Sequence, residues 1–132
     1  MNYAFRLEYG ADLKPSIENY CKENEIGSAC VLCCVGCVTE ARLRLADGET
    51  VKVFKAPYEI VSLTGTVSEE GSHLHISLAD NEGNCIGGHL MEGTYINTTA
   101  EIVICSLADR YRFTRPFDPK TGYDELYIEE KE

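Results

Sequence analysis

Basic charge is scarce in this sequence: 12 lysines and arginines stand against 22 aspartates and glutamates, for a formal net charge of −10. That balance argues against a surface that grips nucleic-acid phosphates by bulk electrostatics. Long apolar runs are also missing. The longest, "CVLCCVGCV", is about half the ~20 residues that a membrane helix needs. "MNYAFRLEYGADLKPS" offers no apolar stretch of secretory length, so the expectation is a cytoplasmic protein with no membrane partner. Repeats, low-complexity segments and linkers are absent, and 132 residues with 44% hydrophobic content are most simply a single domain, 1–132. Histidine is rare but crowded: His73, His75 and His89 are the only three, and all fall within seventeen residues.

What is present reads mostly as strands. "YAFRLEYG" alternates Tyr3, Phe5 and Leu7 against Arg6 and Glu8, the period of a half-buried strand. Asp12 is placed to cap a helix through "LKPSIENYCKEN", where a first-turn Pro15 sacrifices no intrahelical bond. Leu13, Ile17, Tyr20 and Cys21 share a helical stripe, and Gly27 is the expected stop. Further strand candidates are "SACVLCCVGCVTEARLRLAD", "ETVKVFK", "YEIVSLTGTVSEEG", "SHLHISLAD", "NCIGGHLMEG", "TAEIVICSLAD" and "DELYIEE". About eight strands, one main N-terminal helix and short turn-rich connections predict an α+β fold with a curved, mainly antiparallel sheet.

Seven cysteines is an odd number, not spread like a disulfide framework, and in a reducing compartment they are free thiols. "CVLCCVGC" contains two Cys-x-x-Cys pairs, Cys30/Cys33 and Cys34/Cys37. Strand alternation sends Cys30 and Cys34 to one face and Cys33 and Cys37 to the other, which prevents four sulfurs from converging on an ion. Packing is the expected role, since free cysteine behaves as a small hydrophobe.

The histidines are different. A three-residue loop Asn81-Glu82-Gly83, with Gly83 in the left-handed conformation, closes a hairpin whose paired residue numbers sum to 164. His75 then lies opposite His89, and His73 lies diagonal to it on the same face, with Cβ separations of about 5 and 7–8 Å. Three imidazoles so placed reach one divalent ion, zinc by default on ligand type, or an anion. The competing reading is three scattered strand histidines, and a bulge at Gly87-Gly88 would turn His89 to the other face. Gly87, Gly88 and Gly93 either permit close packing or leave room for a ligand.

These residues resemble a known family. "HLHISLADNEGNCIGGHLMEG" is similar to the signature of the plants-and-prokaryotes conserved (PPC) domain, in which a His-x-His strand and a short turn precede Gly-Gly-His-Leu-x-x-Gly. "FRLEYGADLKPSIENYCKENEIGSA" resembles its opening strand and helix, with Arg6 ahead of a Gly-x-Asp-Leu helix start. "CVGCVTEARLRLAD", "YEIVSLTGTV" and "FTRPFDPKTGYDELYI" match its later segments. The resemblance implies a compact domain that assembles as a homotrimer, a stand-alone prokaryotic type labelled DNA-binding by association, and a metal held by His73, His75 and His89. The sequence carries no AT-hook, and Ala56-Pro57-Tyr58 replaces the Gly-Arg-Phe of plant members.

Two functional classes follow. One is a trimeric, regulatory binding module with a three-histidine metal site, for which Arg110, Arg112 and Arg115 are the local candidates for a DNA phosphate; ordinary surface charge is their other reading. The alternative is a small metal-dependent hydrolase, in which Glu92 and Glu101 are the nearest carboxylates in sequence for a general base.

Overall fold

The computed structural model describes residues 1–132. Strand β1 (Asn2–Glu8) leads into the only helix, α1 (Leu13–Glu23), and then into β2 (Ser28–Arg44), a strand of 17 residues. β3 (Val51–Phe54), β4 (Tyr58–Ser68), β5 (Gly71–Ala79), β6 (Cys85–Leu90) and β7 (Tyr95–Ser106) follow. The chain ends in four short strands, β8 (Tyr111–Thr114), β9 (Phe117–Asp118), β10 (Tyr123–Asp124) and β11 (Tyr127–Glu130). The eight predicted strands are all present. β8, β9 and β10 escaped the sequence reading because runs of two to four residues carry little periodicity.

Seven strands form one sheet in the order β1-β7-β2-β4-β5-β6, with β3 beside β2, and every pairing in it is antiparallel. β2 is long enough to serve two ends of it. Its first part pairs with β4 and β7, and its last residues pair with β6 through Leu43–Leu90 and Arg44–His89. The sheet therefore curls until β6 returns to β2. Bulges supply the curvature, since each extra residue bends its strand and raises the local twist. Against β7, β2 shifts register at Val31/Cys33, Gly36/Cys37 and Val38/Glu40. The second shift leaves Thr98 of β7 with φ +67, an outlier for a β-branched residue. Arg6 holds it there, donating to the Thr98 carbonyl and to Thr99 Oγ1.

α1 buries Leu13, Ile17 and Cys21 completely against the sheet, together with Ile102, Ile104, Leu74 and Leu78 of the core. Each such aliphatic side chain contributes about 1.5–3 kcal/mol. Tyr20 stacks on Phe5 at 3.8 Å between centroids. Two expectations about the ends of α1 need correction. Asp12 occupies the N-cap position, but its side chain makes no cap bond; Oδ2 instead accepts from the Gly93 N–H at 2.9 Å, tying the helix start to the loop after β6. The helix stops at Glu23, and Glu25 (φ 56), not Gly27, takes the left-handed conformation.

The cysteine faces also need correction. Leu32 is the extra residue of the first β2 bulge, so Ala29, Val31 and Cys34 point inward while Cys33 is exposed. Cys30 and Cys34 thus lie on opposite faces. All seven cysteines are free, and none joins a cluster able to hold a metal. Burial pushes the Cys21 thiol up to about 11 and the Cys34 thiol up to about 12, which keeps both protonated and inert.

Candidate metal centre

The hairpin of β5 and β6 has the register expected from its turn. Asp80 and Asn84 close the loop through a backbone bond of 2.9 Å, Gly83 takes φ +83, and Asp80 Oδ1 accepts from the N–H groups of Glu82 and Asn84. His75 pairs with His89, and the ladder runs unbroken to Ala79–Cys85, so Gly87-Gly88 carries no bulge. Those glycines are needed for contact. A Cβ on Gly87 would lie 2.6 Å from the Ile76 carbonyl oxygen, and one on Gly88 would lie 2.8 Å from that of Arg44.

Apolar burial decides which way the imidazoles face. Leu74, Ile76 and Leu78 of β5 are buried at 0%, 4% and 0% exposure, which turns His73 and His75 to the opposite side. Leu90, also fully buried, does the same for His89. A one-residue slip would exchange leucines for histidines in the core, so the register is strongly specified.

On that face the three rings gather, with centroids 4.9, 5.1 and 5.7 Å apart. One ring nitrogen from each lies within 4.8 Å of the others, and the Nε2 atoms of His73 and His75 are 3.1 Å apart. Two nitrogens bound to one tetrahedral zinc at 2.0–2.1 Å are separated by about 3.3 Å, so this pair already has the spacing of a coordination edge. His89 Nδ1 is buried without a hydrogen-bond partner. The donor set fits a divalent ion.

Burial and neighbouring charge favour the neutral, ligand form of His73 and His89. Burial, followed by the Arg44 guanidinium, pushes His89 down to about 4 from the ordinary histidine value of 6.5. Burial also lowers His73, with His75 and Arg115 adding to the effect and Glu125 opposing it. A depressed histidine pKa means that the unfolded chain takes up a proton before the native state does. The stability contribution is complete above about pH 6.5 and is lost as pH falls toward 4. Urea midpoints of chelator-treated protein should therefore fall across that window, and His89→Asn should flatten the slope. A slope identical in protein and variant would contradict the burial argument.

The other sequence candidates are dispersed. Arg110 pairs with Glu130 at 3.0 Å, Arg112 is exposed on β8, and Arg115 donates to Thr66 Oγ1. Glu101 lies on β7 opposite Arg6 and Val35, and neither it nor Glu92 joins the histidine cluster. Sequence reasoning missed the neighbours that long-range pairing supplies: Arg44 beside His89, Thr66 beside His73, and Glu125.

A curled antiparallel sheet with one helix and three histidines on a hairpin face defines a small β-rich protein with a metal-capable site. The sequence model of the Plants and Prokaryotes Conserved (PCC) domain, also abbreviated PPC, matches residues 1–108, and this chain belongs to that family. A bifunctional protein GlmU of Synechococcus is 42% identical over 127 residues, which are 96% of this chain and 20% of that protein. The chain thus spans about a fifth of the length of the curated relatives it matches. Among solved structures, a hypothetical protein from Salmonella enterica is 34% identical with a TM-score of 0.94, over 99% of this chain and 94% of that one. A candidate DNA-binding protein from Bacteroides thetaiotaomicron is 25% identical (TM-score 0.84; 96% and 91% covered). A metal-containing protein from Archaeoglobus fulgidus is 28% identical (TM-score 0.79; 96% and 93% covered). No helix here is long and apolar enough to cross a membrane.

Proposed function

We propose that this chain is a self-associating binding module of the cytoplasm, a homotrimer whose His73, His75 and His89 hold one divalent metal ion, zinc on ligand type. The convergence of three imidazoles on one face carries this reading, and the metal-containing Archaeoglobus neighbour supports it. Three nitrogen ligands leave a coordination position open, where a bound ion supplies a Lewis-acid contact to a ligand. No carboxylate joins the cluster as a general base, which favours binding over hydrolysis. Metal analysis of protein purified without a histidine tag tests the reading directly. About one ion per chain is expected, and none after zinc supplementation and desalting would end it.

The homotrimer has its own support. Leu32, Val35 and Val61 are 53%, 58% and 56% exposed on the outer side of β2 and β4, next to the exposed Cys33. Contiguous apolar surface of this kind marks a protein contact. Val35→Glu should reduce the sedimenting species from three chains to one, each of 14.7 kDa. Cys33 should then alkylate as fast as Cys85, the other exposed cysteine, whereas it is protected in the trimer. A trimer that survives the substitution would place the contact elsewhere. The whole chain acts as one domain in this proposal: Phe113 of β8 is buried and its N–H donates to Ser28 Oγ, which ties the C-terminal strands to the start of β2.

A DNA-contacting role is the second reading, favoured by the Bacteroides neighbour. With a net charge of −10, Arg110 paired to Glu130 and Arg115 bonded to Thr66, the contact is weak or indirect. Absence of any gel retardation of random duplex at low salt would end it.

A further inference from the structure

The ion pairs of this protein are Arg6–Glu8, Lys14–Glu18 and Arg110–Glu130. With 22 carboxylates against 12 basic side chains, cations on this surface have a wide choice of partners. Nine of the twelve basic side chains make no ion pair, and two of these, Arg44 and Arg115, stand beside the histidines. Arg44 is the cross-strand partner of His89 and lines a cavity of about 370 Å³ with His75, His89, Gly87 and Gly88. Its guanidinium lies 5.7 Å from the Tyr123 ring centroid, a contact that steadies the side chain.

Arg115 comes from the C-terminal segment. Its Nη2 donates to Thr66 Oγ1 at 3.0 Å, and Thr66 is the cross-strand partner of His73. Nη1 donates to the Asp124 carbonyl at 3.3 Å, while Nε is buried with no acceptor. A buried guanidinium N–H without a partner is costly and asks for an acceptor. Both arginines therefore flank the cluster, Arg44 across the strand pair from His89 and Arg115 through the residue that faces His73.

We propose that the histidine cluster, Arg44 and Arg115 together bind a small oxyanion, a phosphate or carboxylate group, that completes the coordination of the histidine-held ion. This rests on the metal reading. Neutral imidazoles leave the ion its full double positive charge, and two unpaired guanidiniums add to it, so the site is a positive centre in an acidic protein. One anion oxygen takes the open position and the others accept from the guanidiniums, the strongest class of hydrogen bond.

Calorimetric titration of inorganic phosphate and of malonate into zinc-loaded and chelator-stripped protein tests this, and the anion that binds identifies the group. Arg44→Gln and Arg115→Gln should each weaken that binding about tenfold without changing zinc content. Zinc uptake with no binding of either anion, or binding unchanged in both variants, overturns the anion site and leaves the metal reading standing. Anion binding that persists without zinc and weakens in the variants supports the arginine site while removing its dependence on the ion. Arg44→Gln spares the Thr66 contact, so the test holds even if Arg115→Gln fails to fold.

Discussion

His75→Ala is expected to strip the protein of its metal, with affinity for zinc falling at least a hundredfold. Loss of groups that merely orient a ligand already costs 10–100-fold in metal affinity, and removing a ligand costs more. His75 is the informative position because its side chain is exposed, whereas His73 and His89 are half-buried. An exposed substitution normally changes stability by less than about 0.5 kcal/mol, so metal loss here reports coordination and not unfolding. The Nε2 of His75 sits 3.1 Å from that of His73, and its ring faces His89 at 5.7 Å between centroids. Removing it leaves two imidazoles, a set that binds weakly and exchanges quickly. Elemental analysis together with competition against a chromophoric chelator measures the effect. Near-stoichiometric metal in the variant would show that the ion sits elsewhere.

Gly65→Ala should damage both fold and site without replacing a ligand. A Cβ on Gly65 would stand 1.9 Å from the backbone oxygen of His73 and 2.9 Å from the Leu74 Cα. Backbone cannot swing aside as a side-chain end does, so β4 and β5 must separate at the pair that carries His73. Overpacking of this sort costs about 1–3 kcal/mol, and a main-chain collision belongs at the upper end. The expected result is a lowered urea midpoint together with weakened zinc binding. Gly83→Ala is the control: a Cβ there meets nothing within 4 Å, although φ is +83. It should cost about 1–2 kcal/mol through the left-handed backbone alone and leave the histidine face assembled. A Gly65→Ala protein as stable as the parent would mean that the close approach of the two strands is not needed.

The hairpin was legible because its determinants are local. Alternation of period two, a loop with Gly83 at its bend and a constant pairing sum placed His75 opposite His89, as the structure shows. The stripe Leu13, Ile17 and Cys21 was legible for the same reason. The facing of the cysteines was not. A single extra residue, Leu32, inverts the side chains from Cys33 to Val38, and nothing in "CVLCC" marks where the bulge falls. The helix stop at Glu23 escaped because a charged residue, Glu25, took the left-handed position that glycine usually fills.

By itself the sequence determined the periodic elements, the hairpin register and the family, all of which depend on residues near one another in the chain. Tertiary structure alone decided what surrounds the histidines. Arg44 reaches them because β2 is long enough to bend round to β6, and Arg115 because the C-terminal strands fold back to Thr66. Each of these contacts joins residues more than 40 positions apart. Closing such loops is repaid by the burial of the whole sheet, not by any local preference, so no short stretch of sequence records them.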